Sequence, residues 1–213
     1  IRPIIAYGDP ILNLKVEKIK YSESNSIDSL VNDLWDTMYN ANGVGIAAPQ
    51  IGVSKSIFVA DFSFFEDEDS FNKDELINIK QVFINPKIIK ESGDDFTYSE
   101  GCLSIPNISE EVIRKEKIKI NFLNEQFQPK QMNCSGIIAR VIQHEYDHLQ
   151  GILFTDRISK DARISIDTEL KLENRSSQVA DYIKDKFQIS VNKSEIIPSI
   201  DNYNLVNDLV EIY

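Results

Sequence analysis

The run Gly136-Ile137-Ile138-Ala139-Arg140-Val141-Ile142-Gln143-His144-Glu145-Tyr146-Asp147-His148-Leu149-Gln150-Gly151 decides how this chain is read. It carries an H-E-x-x-H pattern that uses both histidines of the chain. A separation of four residues is about one helical turn, so the two imidazoles lie one above the other on one helix face. Two ring nitrogens so placed can reach a single metal ion, and Glu145 is positioned as a general base toward a water activated by that ion. On a helical wheel Ile137, Ile138, Val141, Ile142 and Leu149 share one arc, which also takes in Glu145 and His148, with His144 at its edge. Gln143, Tyr146, Asp147 and Gln150 fall on the opposite side, with Arg140 beside them. A carboxylate inside an apolar arc is costly unless it is paired or bound. A metal site resolves that conflict. Gly151 suits a C-terminal cap. The plainer reading is a buried helix whose histidines only form hydrogen bonds.

Two imidazoles leave a metal ion short of at least one protein ligand. In a zinc endopeptidase that ligand would be a downstream carboxylate, and Glu169 and Glu173 are the candidates. The alternative is a thiolate, from Cys102 or Cys134, the two cysteines of the chain. Cys134 reads equally as a small buried residue or as the fourth ligand that closes a purely structural metal site. Cys102 lies in Glu100-Gly101-Cys102-Leu103-Ser104-Ile105-Pro106, where Gly101 and Pro106 imply a shaped loop or strand end.

Three segments occur in order: Gly43-Val44-Gly45-Ile46-Ala47-Ala48-Pro49-Gln50, Glu100 to Ser104, and Gln143 to His148. Together they resemble the three motifs of the peptide deformylases. The resemblance runs from about residue 3 to residue 158 and includes Ala6 to Pro10 and Gly151 to Phe154. It implies removal of the formyl group from the N-terminal formyl-methionine of newly made polypeptides. It also implies metal ligation by Cys102, His144 and His148, with Glu145 as general base. Gln50, through its side-chain amide, and Leu103, through its backbone N–H, would donate to the oxyanion, and Gly45 would contact the peptide substrate through its backbone. Ligand softness alone admits Zn²⁺, Fe²⁺, Co²⁺ or Ni²⁺, and the His spacing alone suggests zinc. The resemblance implies Fe²⁺ in the cell, with Zn²⁺ or Ni²⁺ as occupants of a purified sample. Val44, Ile46, Ile137 and Val141 are candidate walls of an apolar pocket for the methionine side chain, each of which also reads as plain core. Gln143 either orients a neighbour of the metal or lies on the surface.

The chain has 213 residues and a formal net charge of −11, which argues against binding nucleic acid through a broad basic surface. No apolar stretch is long enough to span a membrane and no secretory signal is visible. Two cysteines, one of them a candidate ligand, fit a reducing compartment. The family resemblance implies a cytoplasmic enzyme of bacterial type, with an organellar origin left open, and the nascent chain as partner. Some deformylases have a basic C-terminal helix proposed to meet the ribosome. The tail here, Asn207 to Glu211, is not basic, which argues against that contact.

Ser26 to Tyr39 has the spacing of an amphipathic helix, and the Gly-rich segment 43–52 reads as a loop. Short strands are expected at 56–62, 81–85, 87–91, 110–116, 118–123 and 127–132, with acidic loops at Glu66 to Asp69 and at Asp94-Asp95. Residues 64–78 look like an insertion bordering the substrate cleft. The order is α+β rather than alternating βαβ. It predicts short, mostly antiparallel strands packed around a central metal-binding helix, with a further N-terminal helix. Residues 1–158 are expected to form the catalytic domain, and residues 159–213 a C-terminal extension of unassigned role packed on it.

Overall fold

A strand that is apolar at every position needs cover on both faces. Ile57–Asp61 comes close to such a strand, apolar from Ile57 to Ala60 and buried at all five positions including Asp61. A computed structural model describes residues 1–67 and 71–170. In it, five strands form one antiparallel sheet in chain order: β1 (Gly45–Ala47), β2 (Ile57–Asp61), β3 (Lys80–Cys102), β4 (Ile105–Leu123) and β5 (Pro129–Ser135). The helices are α1 (Ile27–Asn40) and α2 (Gly136–Gln150). Phe58, Ala60, Phe83, Ile118, Ile120 and Phe122 pack in one cluster with Ile138, Ile142 and Leu149 of α2. Alternate positions, Ile46, Ile57, Val59, Val82 and Ile84, pack in a second cluster with Val31, Leu34 and Met38 of α1. The period-two alternation of strand side chains thus sends one parity to each helix. The fold is α+β with an antiparallel sheet.

Phe58, Phe83 and Phe122 come from three neighbouring strands. Their ring centroids are 4.4 and 4.6 Å apart in succession. Each such pair is worth about 0.5–1.5 kcal/mol beyond the area it buries, so the stack pins the register of β2, β3 and β4 under α2.

Several sequence expectations change. The short strands at 81–85 and 87–91 are parts of one strand, β3, which also absorbs the Asp94-Asp95 segment expected to be a loop. Pro86 cannot donate to the ladder and is tolerated because the register shifts between Ile84 and Lys87. Asn85 takes φ 48° there, and its side-chain amide bonds both the N–H and the carbonyl of Ile19. A further shift lies between Ser92 and Asp95, and Asp95 pairs with Lys115 at 2.9 Å. The strands expected at 110–116 and 118–123 are likewise one strand, β4. The segment 43–52 is not a plain loop, because it contains edge strand β1 and the 3-10 turn Ala48–Ile51. Of the acidic run Glu66 to Asp69, Glu68 and Asp69 lie outside the described residues.

Contacts divide the chain into two units, Ile1–Ile158 and Ser159–Tyr213. Residues 160–170 are helical. The expected packing of the C-terminal extension falls largely on residues 171–213, outside the described residues, as does the acidic tail.

Gly151 closes α2 in a left-handed conformation, φ 73°. A Cβ there would meet the backbone of Asn13 at 2.6 Å. Gly151→Ala is therefore expected to lower the unfolding free energy by about 2 kcal/mol or more, seen as a lower urea midpoint with an unchanged slope.

Candidate functional site

Strand β3 ends at Cys102 and β4 begins at Ile105, so Leu103 and Ser104 form the turn between them. That turn faces α2. Ligand atoms of Cys102, His144 and His148 all lie within 4.8 Å of one another, and Cys102 Sγ is 3.4 Å from His148 Nε2. A thiolate and two imidazoles so converged are a set that fits a borderline-soft divalent metal ion. Buried polar atoms here with no hydrogen-bond partner among the described residues include His148 Nδ1 and Glu145 Oε2. Orphaned buried atoms need an explanation, and for the Glu145 oxygen a site that takes up water beside an ion supplies one. Cys134 is not part of this group. It lies on β5 in the core cluster, where burial pushes its thiol up to about 12. Glu169 is exposed on the second unit, and Glu173 lies outside the described residues.

The electrostatics differ between the two histidines. Nδ1 of His144 lies 2.8 Å from Glu100 Oε2. An ionised carboxylate only accepts, so Nδ1 carries the proton and Nε2 is the nitrogen free for a metal. Burial opposes charge on His144, but Cys102, Glu100 and Glu145 outweigh it and raise the group to about 10. A metal must displace that extra proton. His148 moves the other way, held well below its ordinary value by burial and by His144 beside it. Glu145 is raised to about 7, burial being the largest cause. That is a suitable value for a group that takes and returns a proton near neutral pH.

The first motif lies against Glu145. A Cβ on Gly45 would come within 2.6 Å of Glu145 Oε1, so only glycine lets the strand and the carboxylate approach this closely. Gln50 is buried, and its Oε1 accepts from the Ala47 N–H at 2.8 Å. That bond settles which end of the amide is which and turns Nε2 toward Cys102 Sγ and Ser104 Oγ, each 3.4 Å away.

These residues line a cleft of ≈ 690 Å³. Val44, Gly45, Gln50, Leu103, Ile137 and Val141 lie on its wall with Cys102, His144 and Glu145. Ile46 does not. It is fully buried in the cluster against α1, because its side chain has the opposite parity to Gly45 and Ala47 along β1. Its expected role as a pocket wall is therefore corrected. Phe65, from the segment expected to border the cleft, lines it as well.

Much of the polar side of α2 is not at the surface. Arg140, Gln143 and Asp147 are buried. Gln143 donates to the carbonyls of Lys115 and Ala139, so the surface alternative for it falls. Arg114 of β4 donates through Nε and Nη2 to Glu100 at 2.6 and 2.8 Å and through Nη1 to Asp147 at 2.5 Å. Arg140 donates to Glu100 at 2.7 Å. Burial would raise the Glu100 pKa, but Arg114 and His144 outweigh it and hold the carboxyl far below the usual range. Glu100 lies inside a motif, yet the partners Arg114, Arg140 and Asp147 carry no spacing that links them, and sequence reasoning missed the cluster.

A family model described as polypeptide deformylase matches residues 1–163. The chain belongs to the polypeptide deformylase family. It is therefore a metallo-hydrolase that removes the N-formyl group from nascent peptides. The peptide deformylase of Christiangramia forsetii is 48% identical over 162 residues, covering 75% of this chain and 82% of that protein. That of Flavobacterium psychrophilum is 46% identical over 162 residues, covering 75% and 83%. A crystal structure of the peptide deformylase from Ehrlichia chaffeensis matches with TM-score 0.73 at 32% identity, covering 82% of this chain and 97% of that one. Among the described residues no helix is long and apolar enough to cross a membrane.

The two thiols differ in exposure, Cys102 being half-buried and Cys134 buried, and this can be read chemically. With a thiol-alkylating reagent at neutral pH, the folded metal-free protein is expected to label at Cys102 and not at Cys134. Added zinc should suppress even that label, and denaturant should expose both thiols, as followed by peptide mass spectrometry. Labelling of Cys102 indifferent to zinc would remove it from the ligand set.

Proposed function

We propose that the chain carries out deformylation with a divalent metal ion held by Cys102 Sγ, His144 and His148, on α2 as the central metal-binding helix. The single observation that carries this reading is the convergence of those three side chains beside the buried, unpartnered carboxylate oxygen of Glu145. The bound ion would supply Lewis-acid chemistry, making water more acidic and polarising the formyl carbonyl. Fe²⁺ is the ion we expect in the cell, with Zn²⁺ or Ni²⁺ possible in a purified sample.

Glu145 takes a proton from the attacking water and later gives it to the leaving amine. Its pKa of about 7 suits both transfers. Negative charge develops on the formyl oxygen as the carbon becomes tetrahedral. Nε2 of Gln50 and the backbone N–H of Leu103 are the donors aimed at that charge, and the Ala47 bond to Gln50 means no reorganisation is needed when it forms. The backbone at Gly45 meets the peptide. Val44, Ile137 and Val141 form the apolar wall for the methionine side chain. Formyl selectivity is steric, because a hydrogen on the carbonyl leaves room where a methyl would clash. The nascent formyl-Met polypeptide is the partner. Cytoplasmic action fits the family, and no ribosome contact is proposed for the acidic tail.

The direct test is formate release from a formyl-Met peptide and acetate release from its acetyl counterpart, using iron-loaded protein kept free of oxygen. Formate release only, lost with a chelator and restored by Fe²⁺, is the expected result; no formate from a fully loaded sample would refute the reading. Gln50→Leu is expected to lower kcat by about 10²–10³ with the metal retained, and an unchanged kcat would remove Gln50 from the oxyanion site.

A further inference from the structure

Asp147 and Arg157 are far from the cleft in role, and the deformylation mechanism uses neither. Yet they end an unbroken series of charge-assisted bonds that begins at a metal ligand. Glu100 accepts from His144 Nδ1 through Oε2 and from Arg140 through Oε1. Arg114 forks onto both oxygens of Glu100, and its remaining Nη1 donates to Oδ2 of Asp147. Arg157 then closes on Asp147, with Nη2 to Oδ1 and Nε to Oδ2. Side chains of Glu100, Arg114 and Asp147 are at most 5% exposed, whereas Arg157 is 36% exposed.

We propose that Arg157 is a positioning residue for the metal centre, acting on His144 through Asp147, Arg114 and Glu100. The physical reason is the division of Asp147's two oxygens. Oδ1 is held by Arg157, while Oδ2 is shared by Arg157 and Arg114. Without Arg157, a buried carboxylate oxygen loses its donor and the whole charge of Asp147 falls on Arg114. A buried charge stripped of one partner is strongly unfavourable and pulls on what remains. The remaining guanidinium is the fork that fixes Glu100. A shift of that fork toward Asp147 loosens Glu100, and with it the orientation and basicity of the His144 ring. Outer partners of a metal ligand typically change metal affinity by about 10- to 100-fold when removed. Lys at this position would keep the charge but could not span both oxygens.

The inference rests on Cys102, His144 and His148 being the metal ligands, and the test separates the two claims. Wild type, Arg157→Met and Arg157→Lys are loaded with Co²⁺, and the visible spectrum, the thiolate-to-cobalt charge-transfer band and the metal dissociation constant are recorded beside Tm. Arg157→Met is expected to bind Co²⁺ about 10-fold more weakly or worse, with a shifted ligand-field spectrum, and Arg157→Lys should fall between. Wild-type affinity and spectrum in both variants would overturn the proposal, however far Tm falls, since a purely structural clamp would move Tm alone. If Arg157→Met does not fold, Arg157→Lys decides by the same two readouts. Absence of a charge-transfer band in the wild type would instead defeat the metal-ligand reading.

Discussion

One buried carboxylate, Glu100, organises much of the structure around it. Taking a carboxylate out of water costs several kcal/mol even after relaxation, and only dense partnering offsets that. Glu100 has three cationic or donor partners from two elements: Arg114 on β4, and Arg140 and His144 on α2. The cluster therefore joins the β3–β4 hairpin to the helix at one place, and Cys102 lies two residues along β3 from it. Moving any one partner strips a buried charge of part of its compensation and leaves the rest of the cluster to carry it. The geometry of the three candidate ligands is thus tied to a constraint far stiffer than a hydrogen bond at the surface.

A sheet covered on both faces imposes the second constraint. Side chains on β1 and β2 alternate between α2 and α1, so a shift of one residue would exchange the two sets. Gly45 meets Glu145 because its parity faces α2, and Ile46 is core because its parity faces α1. The stack of Phe58, Phe83 and Phe122 holds that parity across three strands. Catalytic geometry in this protein is inherited from register.

Around the candidate site the environment sets different proton affinities for groups a few ångströms apart. Burial keeps Glu145 protonatable near neutral pH, while Arg114 and His144 keep Glu100 ionised. One carboxylate is suited to moving a proton and the other to holding an imidazole in place. Residue type is the same, and the difference lies in the neighbours.

Local chemistry made part of this legible in the chain alone. The two histidines one turn apart, the glutamate between them, and the two short motifs with Cys102 and Gln50 depend on residue identity and spacing, and those are properties of sequence. So are α1, α2 and the α+β order, because their apolar periodicities are local. The sequence could not show that short strands merge into β3 and β4, since bulges at Pro86 and Asp95 look like breaks until a partner strand carries the ladder past them. Nor could it show which parity of β1 faces the cleft, or that Arg140, Gln143 and Asp147 on the polar side of α2 are buried. Arg114 is 33 residues from Asp147 and 14 from Glu100, and nothing local marks such a pairing. By itself the sequence determined the reacting groups. The tertiary structure decided which of them meet and with what charge, because burial and long-range pairing exist only once the sheet and α2 have packed.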